Sequence, residues 1–204
     1  MDKTIHCVIL RGAGKDFCAG YELNADPVDS VDKMKADYWR LWGEYDLDAN
    51  PKKRRDVLRG GSSFDDDTWN LQQQQYDRMQ LFDMHKPVIA CIHGNCLAGG
   101  NDVAGLCDLI VCAEDATFAF PPARDLGCLP NQMWFYHLGP QWTKRLALTG
   151  DSVDGKTAAE IGLALKCVPA EDLEEEVEGI ADRMCLIDPE CVPHFRSRLV
   201  DCIG

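Results

Sequence analysis

The sequence has 204 residues, enough for two small domains or, the better expectation, one large domain with a proper buried core. Lys and Arg number 21 against 34 Asp and Glu, a formal charge of -13, which argues against a protein that tracks nucleic-acid phosphates with a basic stripe. The apolar runs are too short and too interrupted to span a bilayer, so no membrane partner is expected either.

In chain order, Ile5 to Leu10 (IHCVIL) is β-branched and almost wholly apolar, which predicts a strand buried on both faces and ended by Gly12 and Gly14. Asp26 to Phe64 is polar, with Tyr38, Trp39, Trp42 and Tyr45 and then the basic run Lys52 to Arg55; a helix followed by a mobile loop is expected. The basic run reads as a solvated loop rather than a contact for phosphates. Trp69, Tyr76, Met79, Leu81, Phe82 and Met84 predict a helix over Thr68 to His85, which Lys86-Pro87 stops.

Val88 to Ile92 (VIACI) and Leu109 to Ala113 (LIVCA) then predict two strands, joined by a glycine-rich turn and a short helix from Asn101 to Cys107. After Phe118 to Pro122 the chain reads as loop up to Pro130, Trp134 to Leu148 reads as helix ended by Gly150, and Val153 to Leu163 and Glu171 to Met184 as two further helices separated by KCVP. No internal repeat is visible.

Eleven cysteines include no CxxC pair, and Cys91, Cys96, Cys107 and Cys112 lie inside apolar runs where cysteine behaves as a small hydrophobe. With no apolar leader at the N-terminus, this pattern predicts a reduced, intracellular protein and no metal site.

Two segments bring turns with free backbone N–H groups to the carboxyl ends of strands, where ligands sit in α/β sheets: Arg11 to Leu23 (RGAGKDFCAGYEL) and His93 to Phe118. The first is neither a dinucleotide loop, because Gly12, Gly14 and Phe17 break GxGxxG, nor a P-loop, because Gly14-Lys15-Asp16 lacks the hydroxyl and the spacing. A Rossmann-type dehydrogenase is disfavoured accordingly.

Together, RGAGKDFCAGYEL and HGNCLAGGNDVAGLCDLIVCAEDATF resemble the paired signatures of the crotonase superfamily, the enoyl-CoA hydratase/isomerase family. The resemblance extends through FPPARDLGCLP and LGPQWTKRLALTGDSVDGKTAAEIGLALKCV, covering roughly Ile5 to Met184. It implies an α/β fold, the ClpP/crotonase-like spiral of ββα units, as a single domain over 1–204 with a spiral core in 1–150 and an incomplete helical part in 151–204. It further implies truncation at both ends, because relatives begin with an additional strand pair and helix and finish with further helices. It also implies an acyl-CoA thioester as substrate, with no cofactor beyond the CoA the substrate carries, a homotrimer or dimer of trimers, and a cytoplasmic role in fatty acid metabolism.

Carried over by motif, the backbone N–H groups of Tyr21 and Gly99 form an oxyanion hole for the thioester carbonyl, each such donor typically worth about 3 kcal/mol. Glycines at 99 and 100 let the backbone approach a substrate, although they also suit a tight strand-to-helix turn. Family hydratases place a carboxylate three residues after the oxyanion glycine; here it is Asp102, which is equally an ordinary acidic group at a helix N-terminus. The second family carboxylate is replaced by Pro122 or Ala123, leaving Asp125 as a displaced substitute and Arg124 as a charge for the substrate. Cys18, Ala19, Gly20, Leu23, Gly100, Pro122 and Arg124 are the expected substrate contacts. His93 is expected to stabilise its turn, Asp108 to be structural, and Cys18 and Cys96 to pack rather than attack.

Hydration of a 2-enoyl-CoA is the leading expectation. The alternatives are an enoyl-CoA isomerase, another acyl-CoA lyase or hydrolase, and a non-catalytic acyl-CoA-binding subunit.

Overall fold

A computed structural model describes residues 2, 4–20, 64–120, 133–188 and 191–192. The chain divides into two compact units, one of residues 1–20 with 75–204 and one of residues 21–74. Of the second unit only residues 64–74 are described, all of them in the helix α1 (Phe64–Phe82).

The first unit is organised on a four-stranded, all-parallel sheet in the order β1 (Val8–Arg11), β2 (Val88–Ile92), β4 (Leu109–Ala113), β7 (Lys166–Val168). A second sheet joins β3 (Asn95–Leu97), β5 (Thr117–Ala119) and β6 (Ser152–Asp154), with β3 and β5 parallel and β6 antiparallel to β5. Among the described residues the helices of this unit are the end of α1, then α2 (Gly99–Gly105), α3 (Met133–Thr149), α4 (Gly155–Glu160), a 3-10 turn at Ala170–Asp172 and α5 (Leu173–Cys185).

The continuous apolar runs of β2 and β4 follow from burial on both faces of a parallel sheet. Val88, Ala90 and Ile92 of β2, with Ile110 and Cys112 of β4, face a core shared with Ala104, Phe118, Trp134, Leu146 and Val153. The alternate residues Ile89, Cys91, Val111 and Ala113 face Leu173, Val177, Ile180 and Ala181 of α5. Those four α5 positions recur at helical spacing and make one apolar stripe, so α5 covers one face of the sheet while the second sheet, α2 and α3 cover the other. Asp108 fastens the start of β4 to the start of β2: its N–H donates to the Val88 carbonyl (2.9 Å) and its Oδ2 accepts from the Val88 N–H (2.7 Å). This is the structural role expected of it.

Several expectations need correction. β1 lies at the edge of the described sheet and exposes one face, with Ile9 37% accessible and Arg11 exposed, so it is not buried on both sides. The expected helix over Val153 to Leu163 is a strand followed by a six-residue helix. Val153 is drawn beside Phe118 in the second sheet, and Asp154 then caps α4 by accepting from the Thr157 N–H (2.7 Å). The KCVP connector contains β7, because Lys166 to Val168 pair with Val111 to Ala113 at the sheet edge. The expected helix over Trp134 to Leu148 breaks at Gly139 (φ 67°, ψ -176°), immediately before Pro140. The expected helix and loop between Asp26 and Phe64, including Lys52 to Arg55, lie outside the described residues.

Candidate active site

β1 and β2 are parallel neighbours, with Val8 beside Val88 and Arg11 beside Cys91, so their carboxyl ends deliver both motif segments to the same end of the sheet. There the segments are stitched together. The Phe17 N–H donates to the His93 carbonyl (2.9 Å), the Cys18 N–H to the Asn95 carbonyl (2.8 Å) and the Leu97 N–H to the Cys18 carbonyl (2.9 Å). The Asp16 carboxylate accepts from both the backbone N–H and the side-chain Nδ2 of Asn95, each at 2.9 Å. His93 places Nε2 2.9 Å from the Gly14 carbonyl oxygen, the turn-stabilising contact expected of it.

Contact continues into the first turn of α2. A Cβ on Gly100 would stand 2.6 Å from the Cys18 Cβ, so glycine is what allows the CAG segment to lie against the helix. Gly20 lies beside the turn that starts the helix, where an added Cβ would be 3.5 Å from the Ala98 Cβ. Cys18 is a packing residue here, as expected. Burial pushes the Cys96 thiol well above its ordinary range, which removes it as a nucleophile.

Ala98 itself is strained. At φ 48° and ψ -117° it is the one non-glycine residue with positive φ among the described residues, a conformation that costs about 1–3 kcal/mol. Hydrogen bonds hold it there: its N–H donates to the Ala119 carbonyl and its carbonyl accepts from the Asn101 N–H, both at 3.0 Å. Asn101, buried at 2% accessibility, clamps the same place, since its Nδ2 donates to the Cys96 carbonyl (2.7 Å) and the Ala119 carbonyl (2.6 Å). The strained turn presents the Gly99 N–H as the first of α2, where a helix offers no internal acceptor.

Asp102 follows three residues later. It is not a solvent-facing helix cap: its accessibility is 0%, and Arg78 of α1 places Nη1 3.3 Å from its Oδ2. The far end of α2 is held as well, with His137 Nε2 2.9 Å from the Gly105 carbonyl oxygen. That carbonyl is an acceptor, so Nε2 donates; burial lowers the His137 pKa and the hydrogen bond opposes the shift.

Of the expected site residues, the structure thus brings together Cys18, Ala19, Gly20, Gly99, Gly100 and Asp102. Tyr21, Leu23, Pro122, Arg124 and Asp125 lie outside the described residues. Sequence reasoning missed Arg78, Asn101 and the Asp16–Asn95 clasp. Asn101 had a signal, an amide directly after Gly99-Gly100, whereas Arg78 is 24 residues from its partner with nothing to connect them.

The arrangement places a backbone donor at the start of α2 and a buried carboxylate three residues after it. Among the described residues no cluster of three or more His, Cys, Asp or Glu is placed to hold a metal ion, and no helix is long and apolar enough to cross a membrane.

Comparison with known proteins agrees with this geometry. The family model described as enoyl-CoA hydratase/isomerase matches residues 54–200. Over 191 residues the chain is 32% identical to EchA13 of Mycobacterium tuberculosis, provisionally named an enoyl-CoA hydratase, covering 91% of this chain and 56% of that protein. It is 31% identical over 177 residues to a mitochondrial Delta(3,5)-Delta(2,4)-dienoyl-CoA isomerase of Dictyostelium discoideum, covering 84% of this chain and 52% of that one. The chain therefore spans about half the length of these relatives. A crystal structure of enoyl-CoA hydratase from Mycobacterium smegmatis superposes with a TM-score of 0.75 at 26% identity, over 98% of this chain and 63% of that one. With the family model matched over residues 54–200, a relative 32% identical across 91% of this chain, and both signature segments hydrogen-bonded to each other at one end of the parallel sheet, the chain belongs to the enoyl-CoA hydratase/isomerase family.

Proposed function

We propose that the protein acts on an acyl-CoA thioester, with hydration of a 2-enoyl-CoA as the reaction. The observation that carries this reading is the strained Ala98 turn: it leads into Gly99, whose N–H is the first of α2 and has no acceptor within the helix, with Gly20 beside the turn and Asp102 three residues on. In the proposed complex the thioester oxygen takes hydrogen bonds from the Gly99 and Tyr21 N–H groups. Charge that develops on that oxygen is stabilised at Gly99 without reorganisation, because the Ala98 turn is already held by hydrogen bonds. Asp102 moves the proton, with Asp125 as the second carboxylate, and Cys18, Ala19, Gly20, Leu23, Gly100, Pro122 and Arg124 line the acyl and pantetheine path. CoA enters as part of the substrate, and no separate cofactor is proposed. By family resemblance we further propose a homotrimer or a dimer of trimers, working in the cytoplasm.

A second reading is favoured by one specific observation. Pro122 or Ala123 takes the place of the second family carboxylate, and one carboxylate suffices for the proton shuttle of a double-bond isomerase. Full enclosure of Asp102 also suits an acyl-CoA-binding subunit without catalysis.

Crotonyl-CoA and a longer 2-enoyl-CoA, followed by loss of the conjugated thioester absorbance, separate these readings. Hydration requires turnover that disappears in Asp102→Ala and in Gly99→Val while the variants stay folded. Turnover of a 3-enoyl-CoA alone selects the isomerase, and tight binding without turnover selects the binding subunit.

A further inference from the structure

We infer that Arg78 is the positioning residue for Asp102, holding the carboxylate on which the proposed proton transfer depends; the inference rests on that reading of Asp102. Asp102 is the one acidic or basic residue among the described residues that is buried, at 0% accessibility. An isolated carboxylate in such a place is strongly disfavoured, and a guanidinium is a counter-charge that keeps its proton. Arg78 Nη1 supplies it at 3.3 Å from Oδ2, with the arginine side chain itself only 22% accessible.

A second route joins the same two helices. Phe82, one turn after Arg78 on α1, packs edge-on against Tyr136 of α3, with centroids 6.0 Å apart. Tyr136 packs on His137 (5.1 Å), and His137 bonds the Gly105 carbonyl (2.9 Å), one turn after Asp102 on α2. Arg78 with Phe82 and Asp102 with Gly105 are therefore two corners each of a closed brace. The direct ion pair orients the carboxylate, and the aromatic route fixes the distance between the helices that carry the pair. Arg78 touches no reacting atom in this assignment; it acts through Asp102.

The test compares Arg78→Gln, Arg78→Lys, Asp102→Asn and the double variant Arg78→Gln/Asp102→Asn in the full chain. Misplacing a reacting group by an ångström costs about 100-fold, so kcat of Arg78→Gln is expected to fall by about that factor while KM holds, and Arg78→Lys to recover part of the loss. In thermal unfolding, Arg78→Gln lowers Tm, and adding Asp102→Asn restores part of it, because the buried charge that lost this counter-charge is gone. Wild-type kcat in Arg78→Gln, or additive Tm shifts in the cycle, would overturn the assignment. If the wild-type chain turns over no enoyl-CoA, the proposed reaction falls, and the unfolding cycle still decides whether Arg78 holds Asp102.

Discussion

Gly100 and Cys18 meet with no spare volume: a Cβ added to the glycine would lie 2.6 Å from the cysteine Cβ and 3.2 Å from its sulfur. Gly100→Ala should therefore cost about 1–3 kcal/mol, the usual range for overpacking a tight contact, and should reduce the proposed acyl-CoA binding by separating the two segments. Because the nearest clash is with Cβ, Cys18→Ala should not rescue the variant, whereas Cys18→Gly should. Urea midpoints of the two double variants decide this.

Asn101→Ala removes the Nδ2 bonds to the Cys96 and Ala119 carbonyls, the second of which keeps its bond from the Ala98 N–H. Losing a side-chain partner from a buried acceptor costs about 1–3 kcal/mol, so the urea midpoint should fall at an unchanged m-value. A loss of kcat beyond that of a surface control of equal stability would tie the clamp to the Ala98 turn. An unchanged midpoint would show that the clamp carries no load.

Burial raises the thiol pKa of Cys96 and Cys112 above the ordinary value of 9.0. A raised folded pKa gives stability that is complete below the unfolded pKa and is lost as pH rises from there. Each thiol should then lower the unfolding free energy by up to about 1.4 kcal/mol per pH unit once the pH passes the unfolded value. Chemical denaturation at pH 8 and pH 10 should show the decline. It should be shallower in Cys96→Ala/Cys112→Ala, and an identical slope would discount the two thiols.

His137 behaves in the opposite sense. Its pKa is held below the ordinary 6.5 by burial, so its contribution is present above the unfolded pKa and is lost as the pH falls below it. Acidification from pH 7 to pH 5 should destabilise the native chain, and His137→Gln should flatten that part of the profile. Melting curves across the range provide the check.

Legibility of this fold in the sequence follows burial. β2 and β4 are read residue for residue because each is a five-residue apolar run enclosed on both faces. The second sheet is invisible beforehand: β3, β5 and β6 have three residues each, too few for alternation to register. The two motif segments are legible because glycine is required where they touch, as at Gly94 against the Lys15 carbonyl and Gly100 against the Cys18 side chain. Asp102 is legible as a residue but not as an environment, since its counter-charge comes from a helix ending 17 residues before α2 begins.

A seven-residue helix in isolation would not persist in water, and α2 is that short. Its direction is accordingly borrowed from Asn101 at one end, His137 at the other and Arg78 along its length. The residues that decide where the Gly99 N–H and the Asp102 carboxylate point are thus distributed over the surrounding frame. Substitutions in α1 or α3 can retune the chemistry of this scaffold while every letter of its glycine motif stays unchanged, which gives divergence a route that motif comparison does not see.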